Sequence, residues 1–173
     1  MEISVLKRIL ILVLVGGLSL GCDRITKDMA RADLTHNDRL SYVGSLFSLQ
    51  YEENRGAVFS LGADLPADVR FWIFVVLMGF LLAGILAGVV FSRGVDTVDV
   101  IAAALVAGGG FGNLLDRVLH NGWVIDFITV GIGQVRTAVF NLADVAIIAG
   151  VALFVIMRLR RRQPHEQMPD GSF

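Results

Sequence analysis

The stretch FWIFVVLMGFLLAGILAGVVFS, residues 71–92, decides the fold class of this chain. No charged residue interrupts it, and it exceeds the roughly 20 apolar residues that a helix needs to cross a bilayer. Three further uncharged runs accompany it: ILILVLVGGLSLGC (9–22), VIAAALVAGGGFGNLL (100–115) and VAIIAGVALFVIM (145–157). The sequence therefore predicts a mainly α-helical integral membrane protein with four transmembrane helices.

The composition agrees with a membrane protein and excludes several other classes. Of 173 residues, 55% are hydrophobic and 18% are charged, which is more apolar surface than a soluble domain of this length can readily bury. The formal net charge of -1 argues against a nucleic-acid-binding protein, which needs a basic surface. A single cysteine excludes a disulfide scaffold and a multi-cysteine zinc site, and three prolines exclude a Pro-rich linker architecture. His36, His120 and His165 lack metal-ligand spacing, and we expect no metal and no cofactor.

We expect one polytopic membrane domain over residues 1–173. Its four expected spans are residues 8–22, 70–92, 98–116 and 139–157. Segments 23–69 and 117–138 are expected on the extracytoplasmic side, and 158–173 form a cytoplasmic tail. The total of Lys and Arg is nearly equal on the two sides, so it does not orient the chain. We expect both termini to be cytoplasmic because the tight basic cluster is in that tail, next to the fourth span.

The first span has an alternative interpretation. Lys7 and Arg8, followed by a short apolar run that ends before Cys22, are also typical of a lipoprotein signal peptide with Cys22 as the lipidated residue. Ser19 stands where such a signal usually has Leu, and three more hydrophobic segments follow. We therefore interpret the segment as a retained helix.

The segments outside the spans predict a short helix and a small sheet. Residues 23–38 (DRITKDMARADLTHND) are charged and predict a surface helix that continues the first span. Residues 45–62 (SLFSLQYEENRGAVFSLG) alternate as a half-buried strand does, then turn at NRG and return as an extended stretch at 57–61. Residues 123–140 (WVIDFITVGIGQVRTAVF) predict a second sheet region. We expect these strands to form a small β-sheet on the outer membrane surface, and residues 163–173 to be disordered.

Three carboxylates lie at similar depth in the predicted bundle. Counting 1.5 Å per residue from the inner anchors places Asp144, Asp23 and Asp116 about 20, 22 and 25 Å above the inner face. These depths correspond to the outer third of a hydrocarbon core about 30 Å thick. Carboxylates at such depth are costly and by default indicate a functional site that faces the interior of the bundle.

Each acid also has a structural interpretation. Asp144 in NLAD is a candidate helix N-cap. Asp116 is a candidate ion-pair partner for the adjacent Arg117, and Asp23 can be interpreted as the residue at which the first span ends. Asp126 in VIDFI is harder to explain structurally, because it lies inside an apolar extended stretch with no partner nearby in sequence. It marks either an accident of a strand edge or a site.

Two weaker signals favour structural interpretations. Gly108, Gly109, Gly110 and Gly112 suggest a phosphate-binding loop, but no strand precedes them and no Lys follows. Close packing of helices explains these glycines better. A serine with Lys27 would be a possible hydrolytic dyad, although no serine stands in a supporting motif and no GxSxG elbow occurs.

Five short motifs occur in a recognisable order along the chain. They are DRITK (23–27), ENRGAVFSL (53–61), GGGFGNLLDR (108–117), VIDF (124–127) and FNLAD (140–144). In this order and between four spans, they resemble the lipoprotein signal peptidase family, also called signal peptidase II. Each motif alone is weak, whereas the ordered set extends over nearly the whole chain.

The resemblance implies an aspartic endopeptidase of the bacterial cytoplasmic (inner) membrane, with its active site near the outer leaflet. Such an enzyme removes signal peptides from diacylglyceryl-modified prolipoproteins and cuts just before the lipidated cysteine. It implies Asp126 and Asp144 as the catalytic residues and the sheet as a β-cradle over the site. The residues implied or suspected to bind substrate or shape the site are Asp23, Lys27, Asn54, Gly56, Asn113, Asp116, Arg117 and Asn141. We expect a monomer whose partners are lipidated prolipoproteins and membrane lipids.

Two aspartates suit hydrolysis without a metal or a covalent nucleophile. Carboxylates held close together do not both ionise cheaply, so one keeps a proton and the other acts as a base. The pair titrates as a unit, which leaves open whether Asp126 or Asp144 carries the proton. Two other function classes remain as alternatives: a proton-coupled transporter that uses Asp116, Arg117 and Asp144 as a relay, and a structural lipoprotein or assembly factor anchored at Cys22.

Overall fold

The computed structural model describes residues 3–35, 39–42, 46–57 and 60–162. The predicted disordered tail, residues 163–173, lies outside the described residues. The four long helices are α1 (Val5–Leu34), α2 (Ala67–Phe91), α3 (Thr97–Leu119) and α4 (Leu142–Arg162). The strands are β1 (Leu40–Tyr42), β2 (Phe47–Asn54), β3 (Val124–Ile132) and β4 (Val135–Arg136). All four helices are long and apolar enough to cross a membrane, which confirms the predicted fold class.

Helix α1 is longer than the predicted first span. It does not end at Cys22 but continues to Leu34, so the charged segment predicted as a surface helix is its last part. Asp23 consequently lies within a continuous helix and does not mark the end of one. A short run of wider turns over Leu12–Gly16 does not interrupt the helix.

Polar contacts at one end of the bundle show that neighbouring helices are antiparallel. Arg8, at the start of α1, donates hydrogen bonds from Nη1 to the carbonyl oxygens of Val89, Val90 and Ser92 at the end of α2. Asp99, at the start of α3, accepts from Arg161 at the end of α4 at 3.1 Å. We call this the arginine end; the other end, which carries the sheet, is the sheet end.

Helix α3 is the centre of the bundle. Its Ala and Gly residues are buried, whereas the other three helices expose large apolar side chains on their outer faces, such as Leu14, Phe80 and Ile148. The glycines allow these close approaches. A Cβ on Gly108 would lie 2.6 Å from the carbonyl oxygen of Gly16, and one on Gly109 would collide with the carbonyl oxygen of Ala143. Close helix packing is therefore the role of these glycines.

The sheet has the order β1-β2-β3-β4, and all neighbours are antiparallel. Phe47 and Leu49 of β2 pack with Phe127 of β3 against Ala30 and Leu34, near the end of α1. The structure thus confirms a strand at β2 and the second sheet region in β3 and β4. The predicted alternation of buried and exposed residues along β2 is not seen, because Ser48 on the opposite face is itself fully buried. The long α1 thus serves as the base on which the sheet rests.

The predicted extended stretch at residues 57–61 is wrong for its described part. Val58 and Phe59 lie outside the described residues, but Ser60 has a positive φ of 57° and begins a turn. The physical reason is a closed loop, in which the backbone N–H of Ala57 donates to the carbonyl oxygen of Leu61 at 2.8 Å.

Candidate active site

The sheet end brings together every site residue nominated from the sequence. They come from five elements: Asp23 and Lys27 from α1, Asn54 and Gly56 from the end of β2, Asn113, Asp116 and Arg117 from α3, Asp126 from β3, and Asn141 and Asp144 from the start of α4. Hydrogen bonds or ion pairs connect each of them to at least one other member of the set.

Asp126 lies in the middle of the β2–β3 pairing, opposite Glu52, and its residue is 3% exposed. Its carboxylate oxygens accept hydrogen bonds from two amides: Asn141 Nδ2 to Oδ1 at 2.6 Å, and Asn54 Nδ2 to Oδ2 at 3.2 Å. The partners that are absent from the neighbouring sequence therefore come from distant segments. A buried carboxylate with two donated hydrogen bonds is held in one orientation.

Asp144 belongs to a reciprocal cap at the start of α4. Asn141 is the capping residue: its Oδ1 accepts from the backbone N–H of Asp144 at 3.0 Å, while its own N–H donates to Asp144 Oδ2 at 3.3 Å. The alternative interpretation of Asp144 as the N-cap is thus wrong by three residues, and the cap at Asn141 explains why α4 begins at 142 instead of 139. Asn113 Nδ2 donates to the remaining oxygen, Oδ1, at 2.8 Å.

Asn141 connects the two aspartates directly. It is fully buried, and its single side chain donates to Asp126 and accepts from the backbone of Asp144. Its Nδ2 also lies 3.1 Å from Asn113 Oδ1, which in turn accepts from Lys27 Nζ at 3.0 Å. One hydrogen-bonded network therefore extends from the sheet through α4 and α3 to α1.

A buried ionic cluster of Asp23, Lys27 and Asp116 lies next to this network. Lys27 is fully buried, and its Nζ lies 2.8 Å from both Asp23 Oδ2 and Asp116 Oδ2. Asp23 Oδ1 accepts from the backbone N–H of Ala143 at 2.8 Å, so α1 holds the first turn of α4 in place. The predicted Asp116–Arg117 pair is not formed, because Asp116 instead faces Lys27 and Arg24 on α1.

Arg117 has a different set of contacts. Its Nη2 donates to the carbonyl oxygen of Gly56 at 2.8 Å, and its Nη1 donates to that of Asn113 at 3.1 Å. Gly56 has no room for a side chain, since a Cβ there would lie 2.6 Å from backbone atoms of Ser60 and Leu61. The loop after β2 is thereby fastened to α3.

Sequence reasoning missed two features of the site. Arg24 pairs with Asp116 at 3.0 Å; its only signal was its position inside the DRITK motif. A cavity of about 310 Å³ opens beside Arg117 between α2 and α3, and Phe74 and Arg70 help to line it. In the sequence, Phe74 is one aromatic residue of an apolar span, and nothing in the pattern distinguished it from a lipid-facing residue.

The environment of Asp126 favours its protonated form. Burial, and then the negative charge of Asp144, raise the pKa of Asp126 from 3.8 to about 7, while the hydrogen bonds from Asn54 and Asn141 oppose the increase. The side chain is therefore close to half protonated at neutral pH. A carboxyl group in this condition can give or take a proton with little cost.

The raised pKa makes stability depend on pH. Because the folded state binds the proton more tightly than the unfolded state, the contribution of Asp126 is fully present below about pH 4 and is lost as the pH rises through about 7. Between about pH 5 and about pH 8 the free energy of unfolding should fall by roughly 2–4 kcal/mol in the native protein but not in Asp126→Asn. Chemical unfolding in detergent at several pH values measures this.

The matched control for that experiment is Asp64→Asn, which makes the same chemical change on an exposed carboxylate. It should keep the native pH dependence. An Asp126→Asn protein with the same pH slope as the native protein would contradict the raised pKa.

Gly112 offers a second test, this time of the packing under the site. A Cβ at this position would lie 2.6 Å from Asp23 Oδ2, the oxygen that pairs with Lys27. Gly112→Ala should displace the Asp23 carboxylate and lower the free energy of unfolding by about 1–3 kcal/mol. Gly79→Ala, where the new Cβ meets nothing within 4 Å, should have little effect. Equal unfolding curves for the two variants would show that Asp23 can move at no cost.

Comparison with known proteins gives this site a context. A family model described as signal peptidase (SPase) II matches residues 15–160, which include all ten nominated site residues. The chain belongs to the signal peptidase II family. The family resemblance stated from the five motifs is confirmed, and the chain is a peptidase of a multi-pass membrane family.

Curated relatives match this signal peptidase II over most of its length. The lipoprotein signal peptidase of Syntrophus aciditrophicus (strain SB) is 35% identical over 158 residues, which cover 91% of this chain and 97% of that protein. The lipoprotein signal peptidase of Geobacter sulfurreducens is 36% identical, with 90% and 94% covered. A solved bacterial membrane enzyme has the same fold, with a TM-score of 0.77 at 23% identity over 92% of this chain and 93% of that one.

Proposed function

We propose that this signal peptidase II is an aspartic endopeptidase that removes signal peptides from diacylglyceryl-modified prolipoproteins, cutting just before the lipidated cysteine. The relatives named as lipoprotein signal peptidases support the substrate class. The observation that carries the catalytic type is the connection of Asp126 and Asp144 through the single buried side chain of Asn141.

The two carboxyl groups carry the proton transfers. With one proton on the pair, the ionised carboxylate takes a proton from a water molecule as the water oxygen bonds to the scissile carbonyl carbon. The protonated partner gives its proton to the carbonyl oxygen. When the tetrahedral intermediate collapses, the C–N bond breaks, the amine nitrogen takes a proton from the first carboxyl, and the second recovers one from a hydroxyl of the intermediate. One water is consumed, and the pair returns to its starting state.

The surrounding amides and cations keep the pair ready for this reaction. Asn54, Asn113 and Asn141 donate to carboxylate oxygens, so they hold both acids in position without adding charge. The charges of both aspartates act on the guanidinium of Arg117. We assign to Arg117 the stabilisation of negative charge that develops beside the pair, an interaction that is strong where water is excluded.

The position of the site in the bundle suits a membrane-embedded substrate. The pair lies at the sheet end, which we assign to the edge of the apolar layer. The cavity beside Arg117 is lined by apolar side chains such as Phe71, Phe74 and Val118. The Nε atoms of Arg70 and Arg117 are buried and have no hydrogen-bond partner among the described residues. We assign the apolar wall to acyl chains or the signal helix, and these two donors to carbonyl oxygens of the substrate.

We place the sheet end at the outer leaflet of the bacterial inner membrane, with both termini in the cytoplasm and a single chain sufficient for activity. The tight cluster of arginines at positions 158 and 160–162, directly after the apolar part of α4, supports this orientation. In a Cys22→Ser background, a membrane-impermeant maleimide should label Asp64→Cys in intact cells and leave Arg160→Cys unlabelled. The opposite labelling pattern would refute the orientation.

The substrate assignment is tested with purified protein in detergent. A prolipoprotein with a diacylglyceryl cysteine should be cut to a product that begins at that cysteine, as mass spectrometry of the product reports. The same precursor without the lipid is the matched control and should be cut poorly. Cleavage at another position, or equal cleavage of both precursors, would overturn the proposal.

A further inference from the structure

A second cavity lies at the arginine end, at the opposite end of the bundle from the aspartates. Its volume is about 530 Å³, and residues of α2, α3, α4 and the α2–α3 loop line it. This volume is within the usual range of sites for small organic molecules. The proposed peptidase reaction has no use for it.

The walls of this cavity between the helices are largely apolar. Gly84 and Gly88 of α2 are one helical turn apart, and a Cβ on either would meet nothing within 4 Å. Ile85 and Val151 contribute apolar side chains from the two helices that flank the opening. The result is a groove between α2 and α4 that suits a hydrocarbon chain lying along the bundle.

The mouth of the cavity is cationic. Arg93, Arg158 and Arg161 all line it. Arg161 pairs with both Asp96 and Asp99, so its single positive charge balances one of the two negative charges, and the mouth keeps a net positive charge once Arg93 and Arg158 are counted. Arg93 and Arg158 form no ion pair within the described part of the chain.

Arg158 is also held at the cavity. Its guanidinium lies over the ring of Phe154, 4.8 Å from the ring centre, and Phe154 itself lines the wall. A cation stacked on an aromatic ring has lost part of its conformational freedom before a ligand binds. The arginine end thus combines an apolar groove with two adjoining guanidinium groups that form no ion pair with any described residue.

We propose that this cavity is a binding site for one anionic glycerophospholipid, with its phosphate on Arg93 and Arg158 and an acyl chain along Gly84 and Gly88. Charge complementarity decides the occupant, because guanidinium groups bind phosphate oxygens well and basic pockets between transmembrane helices bind anionic headgroups. The site is separate from the aspartates, so it goes beyond the proposed peptidase function and its test does not depend on activity.

The test measures lipid retention by native mass spectrometry of the whole chain purified in an uncharged detergent. Phosphatidylglycerol should remain bound, and phosphatidylcholine with the same acyl chains should be retained much less. Arg93→Gln with Arg158→Gln should weaken phosphatidylglycerol binding about tenfold or more. The matched control, Lys7→Gln with Arg160→Gln, removes two exposed positive charges at the same end that do not line the cavity, and should bind as the native protein does.

A second pair of variants tests the groove. Gly88→Leu should fill the space of the acyl chain and abolish retention, whereas Gly79→Leu, on the same helix but outside the cavity, should not. Glycerol 3-phosphate should fail to compete, because it lacks the chain. Equal retention of the two lipids, or equal effects of the lining and control variants, would overturn the proposal. A third result would also overturn the proposal: phosphatidylglycerol binding that increases tenfold when residues 164–173 are deleted and that does not change in Gly88→Leu. The cavity would then be occupied by the C-terminal tail.

Discussion

Replacing either Asp126 or Asp144 by Asn should lower kcat/KM for a lipidated prolipoprotein by about a thousandfold or more. An amide has nearly the shape of a carboxyl group, but it neither takes a proton from water nor gives one to the carbonyl oxygen. Since both transfers need the pair, each single variant and the double variant should be similarly inactive. Initial rates of cleavage in detergent, followed by mass spectrometry of the product, measure the loss.

The control for this result is again Asp64→Asn, which should cleave at the native rate. Inactivity must also be separated from misfolding. Asp126→Asn should remain folded and, above neutral pH, become more stable than the native protein, because the cost of ionising a buried carboxyl is removed. A folded Asp126→Asn or Asp144→Asn protein that cleaves at near the native rate would show that the residue is not part of the reaction.

Lys27→Met should cause the largest loss of stability among single substitutions at the sheet end. Met has about the length of Lys but no charge, so Asp23 and Asp116 would remain buried with their common cation removed. Breaking a buried ion pair in this way costs about 3–5 kcal/mol. Arg24 would still face Asp116, whereas the backbone N–H of Ala143 would be the one partner left to the side chain of Asp23 among the residues that the structure describes. Thermal unfolding in detergent measures the effect.

Two variants make this expectation specific. Lys7→Met removes an exposed lysine from the same helix and should unfold as the native protein does. Adding Asp23→Asn and Asp116→Asn to Lys27→Met should restore much of the lost stability, because no unpaired charge then remains buried. If Lys27→Met alone unfolds like the native protein, the cluster does not stabilise the contact of α1 with α3 and α4.

The sequence was most informative about what local patterns determine. Uncharged runs predicted four helices, alternation predicted β2, and the abundance of glycine in α3 predicted close packing. The sequence was less informative about where each helix begins and ends and about which charged side chains pair. Beyond Cys22, helix α1 stays packed in the bundle with Lys27 buried. The sequence did not indicate this burial, because the residue that pairs with the lysine, Asp116, comes from α3.

The candidate site shows the same difference between local patterns, which the sequence reveals, and pairings between distant residues, which it does not. Individual acids could be nominated from their depth or their apolar surroundings, and the family resemblance added the amides. The pairing could not be deduced, because Asp116 prefers a lysine 89 positions earlier to the arginine beside it. Likewise, NLAD indicated a helix start, but only the reciprocal hydrogen bonds show that Asn141 is the cap and that Asp144 closes the box.

The double use of Asn141 has a consequence for biogenesis. The same side chain starts α4 and fastens Asp126 of the sheet, so neither aspartate reaches its position until the last helix has entered the bundle and met the strand. A chain that is still being inserted, with three helices in the membrane and the fourth awaiting synthesis, therefore lacks the assembled pair of aspartates that the proposed mechanism requires. Under the proposed mechanism, proteolysis thus becomes possible after α4 has been synthesised and inserted.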